Sequence, residues 1–240
     1  MGSKVRVLFI LFRVAGAALI AAAIIGQYIH SLNFRAELGV PENGVPAVNF
    51  FSFFTVDSNI LTIAVFLIGA VLLMRGSTTD PEWYGVGRAA VTAFMATTGI
   101  VYNTLLRGVE VSEGATLAWS NEIVHVVGPI LIVIDWLFAP GRRRLEWRHI
   151  WVIVVFPVVW AIYTMIRGPF VLDPTQAALN PAYTIGWYPY PFLNPANSPL
   201  GYISVSFYVV LIAAVIGGVG ALIIWVSRRR ERWPLPTPKG

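Results

Sequence analysis

The chain has 240 residues, of which 57% are hydrophobic and only 12% are charged, and its formal net charge is +5. Its mean hydropathy of +0.70 is typical of an integral membrane protein and excludes an ordinary soluble domain. The basic residues cluster beside apolar runs, which indicates orientation in a membrane and argues against a nucleic-acid partner. Because the chain has no cysteine, disulfides, thiolate nucleophiles and cysteine metal sites are excluded.

Six apolar stretches are long enough to cross about 30 Å of hydrocarbon at about 1.5 Å per residue. They cover residues 5–28, 48–74, 86–107, 121–139, 149–167 and 203–227. The first stretch is longer than the apolar region of a signal peptide, and no convincing small-residue cleavage site follows it. We therefore interpret it as an uncleaved span. These features predict an all-α polytopic membrane protein with one six-helix domain over residues 1–227.

Lysine and arginine are concentrated on one side of this topology. With a cytoplasmic N-terminus, the outer segments hold only Arg35, Arg107 and Arg167, and most other basic residues, Arg88 among them, face the cytoplasm. The positive-inside rule therefore predicts that both termini are cytoplasmic. Residues 228–240 are predicted to form a basic, Pro-rich cytoplasmic tail whose arginines rest on anionic headgroups.

The predicted outer loop at residues 168–202 is long and contains the run "GWYPYPFLNPANSPLGY". Proline restricts the backbone and aromatic rings anchor it at the interface, so we expect an ordered cap over the outer surface. The alternative is an aromatic belt at the interface with no part in chemistry.

Charged side chains inside membrane helices cost at least about 2.5 kcal/mol each, so each needs a partner, water or a function. Asp135 lies ten residues beyond His125, near the cytoplasmic third of its span, and Arg13 lies at a similar height in the first span. We therefore expect Arg13 and Asp135 to form a buried, structural ion pair.

Polar residues also collect in one layer near the outer side. Thr55 lies roughly 10 Å and His125 roughly 6 Å below the predicted outer boundaries of their spans, by helical rise. Spacing of three and four residues puts the polar residues of each span on one helical face. These faces comprise Thr55, Ser58 and Asn59 in the second span, and Asn121, Glu122 and His125 in the fourth. Asp57 points away from the polar face of the second span. Two polar faces at one depth predict a pocket near the outer leaflet.

The contents of this pocket suggest nucleophilic catalysis. A hydroxyl is a weak nucleophile until a base accepts its proton, and histidine is the usual base near neutral pH. Thr55 and His125 supply such a pair. Candidate supporting groups are Glu122 or Asp57, which would orient the imidazole, and Asn59, Asn121 or Ser58, which would donate hydrogen bonds to an oxyanion. The alternative is structural, because hydroxyls often bond to helix carbonyls and a single histidine can bridge helices.

A metal centre or haem is not expected, and no cofactor is predicted. The chain has only three histidines, and His30 and His149 lie at opposite faces of the membrane. Neither a GxSxG nor an HExxH motif is present.

Short motifs add a family resemblance. The segment "WSNEIVHVVGPILI" resembles the Trp-x-Asn-x-x-x-His signature, followed by proline, of the androgen-induced-gene family of membrane threonine hydrolases. Matching residues are Trp119, Asn121, His125 and Pro129, while "YPFL" at 190–193 and "FFTVDSN" resemble two further family segments. The chain has Glu122 where the vertebrate pattern has a second histidine, and it looks closer to the bacterial branch.

The resemblance implies a six-span hydrolase that uses Thr55 as nucleophile and His125 as base. It also implies substrates among lipid esters, in particular fatty acid esters of hydroxy fatty acids, with membrane lipids as the surroundings. The leading hypothesis is therefore a threonine-dependent lipid-ester hydrolase. A lipid-binding protein or small transporter that uses the same pocket without covalent chemistry is the alternative.

Overall fold

The computed structural model describes residues 3–40, 44–108, 115–180 and 186–229. Within those residues all regular structure is helical, which confirms the all-α prediction. The helices are α1 (Ser3–Glu37), α2 (Val45–Phe50), α3 (Phe54–Met74), α4 (Glu82–Val101), α5 (Ala118–Glu122), α6 (Gly128–Phe138), α7 (Ile150–Arg167), α8 (Pro174–Leu179) and α9 (Tyr202–Arg229). Residues 230–240 of the predicted tail lie outside the described residues.

Six helical segments of the described chain are long and apolar enough to cross a membrane, as predicted. These spans are Lys4–Glu37, Phe54–Met74, Glu82–Leu106, Ala118–Phe138, Trp147–Phe170 and Tyr202–Arg229. The third and fourth spans each contain a π-helical turn, at Tyr102–Leu106 and Ile123–Val127 respectively.

Two span boundaries at the predicted outer end were wrong. The first span does not end near residue 28, because α1 continues to Glu37. The second span does not begin at residue 48, because residues 45–50 form the separate helix α2 and the chain turns before α3 begins at Phe54. Ser52 stabilises that turn, since its backbone N–H donates to the Asn49 carbonyl and its hydroxyl donates to the Val48 carbonyl.

Helix α4 is at the centre of the bundle and packs against α3, α6, α7 and α9. Its buried alanines Ala89, Ala90 and Ala93 let the neighbouring backbones approach closely. By contrast, α7 leaves most of its valine and isoleucine side chains on the outside of the bundle, as expected where a helix meets lipid.

A buried ion network joins three spans at the predicted cytoplasmic end. Arg13 and Asp135 are fully buried, and Arg13 Nε lies 2.7 Å from Asp135 Oδ1. Asp135 has a second cationic partner, since Arg88 Nε lies 2.8 Å from its Oδ2 and Arg88 Nη1 lies 2.9 Å from Asp80 Oδ2. Two arginines and two aspartates therefore balance one another where an isolated charge would be costly.

The sequence placed Arg88 among the cytoplasmic positive charges, and this placement was wrong. Its side chain is fully buried, and its Nη2 also donates to the Asp135 carbonyl. Helix α4 begins at Glu82 and not at residue 86, so Arg88 lies almost two turns inside the span. The carboxylate of Asp135 consequently binds two arginines at once.

Candidate active site

Thr55 and His125 meet near the predicted outer end of the bundle. Thr55 is the second residue of α3 and is 6% exposed, and His125 lies in the π-helical turn of the fourth span. Thr55 Oγ1 lies 3.3 Å from His125 Nε2. The hydroxyl and imidazole that the sequence singled out are thus within hydrogen-bonding distance of each other.

The hydrogen bonds around His125 determine which ring nitrogen is free to act as a base. His125 Nδ1 lies 3.0 Å from the backbone carbonyl oxygen of Asn121. A carbonyl oxygen only accepts hydrogen bonds, so Nδ1 must carry a proton. In the neutral imidazole Nε2 then has a lone pair directed at the Thr55 hydroxyl, as a general base requires.

The second polar contact of Thr55 comes from the predicted outer loop. The Tyr190 hydroxyl lies 3.1 Å from Thr55 Oγ1 and accepts a hydrogen bond of 3.1 Å from the Thr55 backbone N–H. Burial raises the pKa of Tyr190 to about 12, so its phenol keeps its proton at neutral pH. Tyr190 can therefore donate to Thr55 Oγ1 while Thr55 donates to His125.

Tyr102 fixes the plane of the imidazole. Its ring stacks on His125 with centroids 4.1 Å apart and an interplanar angle of 20°. The Asn121 side-chain amide donates to the Tyr102 hydroxyl at 2.5 Å, which restrains the stacking ring in turn. The sequence did not single out Tyr102 or Tyr190, although Tyr190 belongs to the "YPFL" run.

The two π-helical turns have local causes in the sequence. Pro129 has no N–H to donate to the His125 carbonyl four residues earlier, so an ordinary α-helical turn is incomplete there. In the third span, Asn103 Nδ2 and Thr104 Oγ1 donate to the carbonyls of Gly99 and Ile100 and compete with the backbone. Turns of this kind often occur at functional sites.

A glycine allows the third and fourth spans to come together beside the imidazole. A Cβ on Gly99 would lie 3.2 Å from Pro129 Cβ and 3.5 Å from the His125 carbonyl oxygen. The absence of that atom brings the two helix backbones close enough for Tyr102 and His125 to stack.

The candidate orienting residues occupy other positions. Glu122 is half exposed, and both of its carboxylate oxygens lie 3.0 Å from Arg107 Nη2. Asp57 is partly buried in the first turn of α3. Because Asn121 and Thr55 occupy the two imidazole nitrogens, neither acid serves as the direct hydrogen-bond partner of His125.

The candidate oxyanion donors are also engaged elsewhere. The Asn59 amide donates to the Thr55 and Val124 carbonyls at 2.8 and 3.0 Å, and the Ser58 hydroxyl donates to the Thr55 carbonyl at 3.1 Å. The Asn121 amide donates to Tyr102. These groups therefore fix the backbone of Thr55 and the position of Tyr102, and the hydroxyl group nearest to Thr55 Oγ1 is that of Tyr190.

A largely apolar cavity extends from Thr55 into the bundle. It has a volume of about 850 Å³ with its open mouth included, and α3, α4, α7, α9 and the Tyr190 loop contribute to its walls. Thr55, Tyr102, His125 and Tyr190 line it together with apolar residues such as Val154 and Ile216. The mainly apolar lining suits a hydrocarbon chain with a reacting group at Thr55.

Polar contacts hold the outer loop over this end of the bundle. Asn49 Nδ2 donates to Asp173 Oδ2 at 2.5 Å, and Asn49 Oδ1 accepts from Arg167 Nη2 at 2.6 Å. Arg167 also lies 5.3 Å from the ring centre of Trp187, which packs on Phe53 just before α3. The described part of the loop thus forms an ordered cap, although residues 181–185 lie outside the described ranges.

Comparisons with family models, curated proteins and solved structures found no match. Among the described residues, no group of three or more His, Asp or Glu side chains is arranged to hold a metal ion. The reactive groups described at the site are the Thr55 hydroxyl, the His125 imidazole and the Tyr190 phenol.

Proposed function

We propose that this protein is an integral-membrane hydrolase of fatty-acyl esters, with Thr55 as nucleophile and His125 as general base. The observation that carries the proposal is the contact of 3.3 Å between Thr55 Oγ1 and His125 Nε2, two residues that line a largely apolar cavity. The motifs resembling the androgen-induced-gene family support the same assignment. The proposed setting is a bacterial inner membrane, with the site near the outer leaflet and no cofactor.

In the first step, Thr55 Oγ1 attacks the ester carbonyl carbon and its proton passes to His125 Nε2. The Asn121 carbonyl holds the imidazolium through the Nδ1–H. The Tyr190 hydroxyl lies 3.1 Å from Thr55 Oγ1 and would donate to the ester carbonyl oxygen, which gains negative charge as Thr55 attacks. Thr55 lies in the first turn of α3, where the helix dipole also favours negative charge.

In the second step, the bond to the alcohol oxygen breaks and His125 returns the proton to that oxygen, leaving Thr55 acylated. Water then attacks the acyl carbon while His125 accepts a proton from it. Collapse of this second intermediate returns the proton to Thr55 Oγ1 and releases the fatty acid. Burying an acyl chain supplies about 0.8 kcal/mol per CH₂, so the cavity provides ample binding free energy.

A second candidate is a lipid-binding or transport protein that uses the cavity without chemistry. The mainly apolar lining favours it, since such a lining would hold an acyl chain whether or not Thr55 reacts. Transport across the membrane would also require an open polar route at the other end. The arginines and aspartates described there bind one another, which argues against an ion-coupled route.

Labelling with a fluorophosphonate probe tests the proposal. We expect the detergent-solubilised wild-type protein to be labelled, and the Thr55→Ala and His125→Ala variants to lose labelling. Thr62→Ala is the matched control, because Thr62 is a buried threonine of the same helix whose hydroxyl donates to the Ser58 carbonyl. Labelling that persists in Thr55→Ala would reject Thr55 as nucleophile, and an unlabelled wild type would favour the lipid-binding candidate.

A further inference from the structure

A second hollow lies beside the apolar cavity, outside the ring of Phe192. It has a volume of about 830 Å³ with its open mouth included. Five of its lining side chains carry amide or hydroxyl groups, and no described residue that lines it is charged. These polar residues are Asn194, Asn197, Ser198, Ser204 and Tyr208.

The two hollows meet at Phe192 and Leu106, which line both of them. Phe192 stacks on Tyr190 with ring centroids 5.3 Å apart. The ring of Tyr208 also contacts Phe192, with the two centroids 5.5 Å apart. Since the Tyr190 hydroxyl contacts Thr55, a continuous row of aromatic rings connects the nucleophile with the outer hollow.

Three donor groups of the outer hollow make no hydrogen bond among the described residues: the Asn194 amide nitrogen and the hydroxyls of Ser204 and Tyr208. Asn194 Oδ1 accepts from the Ala196 N–H, which leaves the Asn194 NH₂ group available. In contrast, Asn197 Nδ2 already donates to the Pro191 carbonyl and Ser198 Oγ accepts from the Leu200 N–H. The hollow thus offers hydrogen bonds to a ligand without offering an ionic partner.

We propose that the outer hollow binds the alcohol part of the ester, and that this part is an uncharged hydroxylated group such as glycerol. The assignment rests on the proposed function, because an ester carbonyl at Thr55 has its acyl chain on one side and its alcohol on the other. Amide and hydroxyl side chains form hydrogen bonds with hydroxyl groups, whereas a phosphate group would call for arginine or lysine. Phe192, which lines both hollows, separates the acyl part of the ester from its alcohol part and contributes to selectivity for the alcohol.

Ligand binding to the Thr55→Ala protein in detergent tests this assignment without chemistry. Two ethers with the same chain, 1-O-oleylglycerol and oleyl methyl ether, compete with a fluorescent fatty acid. We expect the glycerol ether to bind about tenfold more tightly, as one or two additional hydrogen bonds would provide. Combining Ser204→Ala with Tyr208→Phe removes two of these donors, keeps the ring beside Phe192, and should reduce the preference to about twofold.

Ser206→Ala is the matched control, because Ser206 is an exposed serine two residues away whose hydroxyl donates to the Tyr202 carbonyl. This variant should keep the full preference. Equal affinities for the two ethers, or tighter binding of the same oleylglycerol chain bearing a phosphate, would overturn the assignment. A preference for the glycerol ether without fluorophosphonate labelling of the wild type would support the polar subsite and reject the hydrolase. Labelling of the wild type without the preference would support the hydrolase and reject the polar subsite.

Discussion

The imidazole of His125 lies nearly parallel to the ring of Tyr102, with the two centroids 4.1 Å apart. Each ring belongs to a π-helical turn, and the two turns lie in neighbouring spans. Hydrogen bonds to Asn121 and Thr55 set the direction of the two imidazole nitrogens, while the stack sets the plane of the ring. The proposed catalytic geometry therefore depends on contacts among three spans.

Replacing Tyr102 separates the role of its ring from that of its hydroxyl. We expect Tyr102→Leu to slow fluorophosphonate labelling by about fivefold, because a stacked pair contributes about 1 kcal/mol and leucine leaves the imidazole free to tilt. Tyr102→Phe keeps the ring and should lose much less. Equal rates for the two variants would exclude stacking as the positioning contact.

Tyr190 is expected to act in the chemical step. Tyr190→Phe removes the hydroxyl that contacts Thr55 Oγ1 and keeps the stack on Phe192, so we expect kcat to fall by about 100-fold with little change in KM. Tyr188→Phe, two residues away in the same loop, is the control and should retain activity. Steady-state hydrolysis of a long-chain nitrophenyl ester measures both constants, and a change confined to KM would contradict the role.

The buried phenol of Tyr190 also makes stability depend on alkaline pH. Its pKa rises from 10.0 to about 12 on folding, because burial disfavours the phenolate. The unfolded chain therefore loses this proton first, so the associated stability is complete below pH 10 and is lost as the pH rises toward 12. The unfolding temperature of the wild type should fall more steeply over this interval than that of Tyr190→Phe, and parallel curves would argue against a buried phenol.

A mutant cycle tests the ion network. We expect Arg13→Met and Asp135→Leu each to cost about 3–5 kcal/mol, because each leaves the buried network with an unbalanced charge. The double variant should cost clearly less than the sum, and Arg88→Met should couple to Asp135→Leu in the same way. Reversible unfolding in mixed detergent provides these free energies, and additive losses would show that the residues are not partners.

The Arg13 guanidinium of the ion network packs against Gly69, where a larger residue would not fit. A Cβ at this position would lie 2.5 Å from Arg13 Nη1 and would overlap the Tyr84 hydroxyl. We expect Gly69→Ala to destabilise the protein by about 1–3 kcal/mol through overpacking. Gly217→Ala in α9 is the matched control, because a Cβ there has nothing within 4 Å and should leave the unfolding temperature nearly unchanged.

The sequence predicted those parts of the fold that depend on length and polarity. Apolar runs near twenty residues identified the six spans, and the cost of buried charge drew attention to Arg13 and Asp135. Helical rise placed Thr55 and His125 in one layer, and the structure brings their side chains within 3.3 Å. Rise and periodicity are local properties, so they can be read from one sequence.

The remaining parts depend on contacts between distant segments. Tyr190 reaches Thr55 across 135 positions of the chain, and periodicity carries no information about such a contact. Arg88 was misplaced because a span boundary shifted by four residues, which is enough to move an arginine from the interface to the interior. Glu122 shares a helical face with His125, yet Arg107 binds its carboxylate and a backbone carbonyl orients the ring instead.

Pro129 lies outside the proposed reaction, yet the position of the imidazole depends on it. Its missing N–H favours the wider turn on which His125 lies, whereas an alanine there would allow the regular helical repeat to resume. Resuming that repeat would rotate the residues before it about the helix axis and carry the histidine away from Thr55. The proposed reactivity of this threonine therefore depends on the winding of the neighbouring helix, which a proline one turn further along controls.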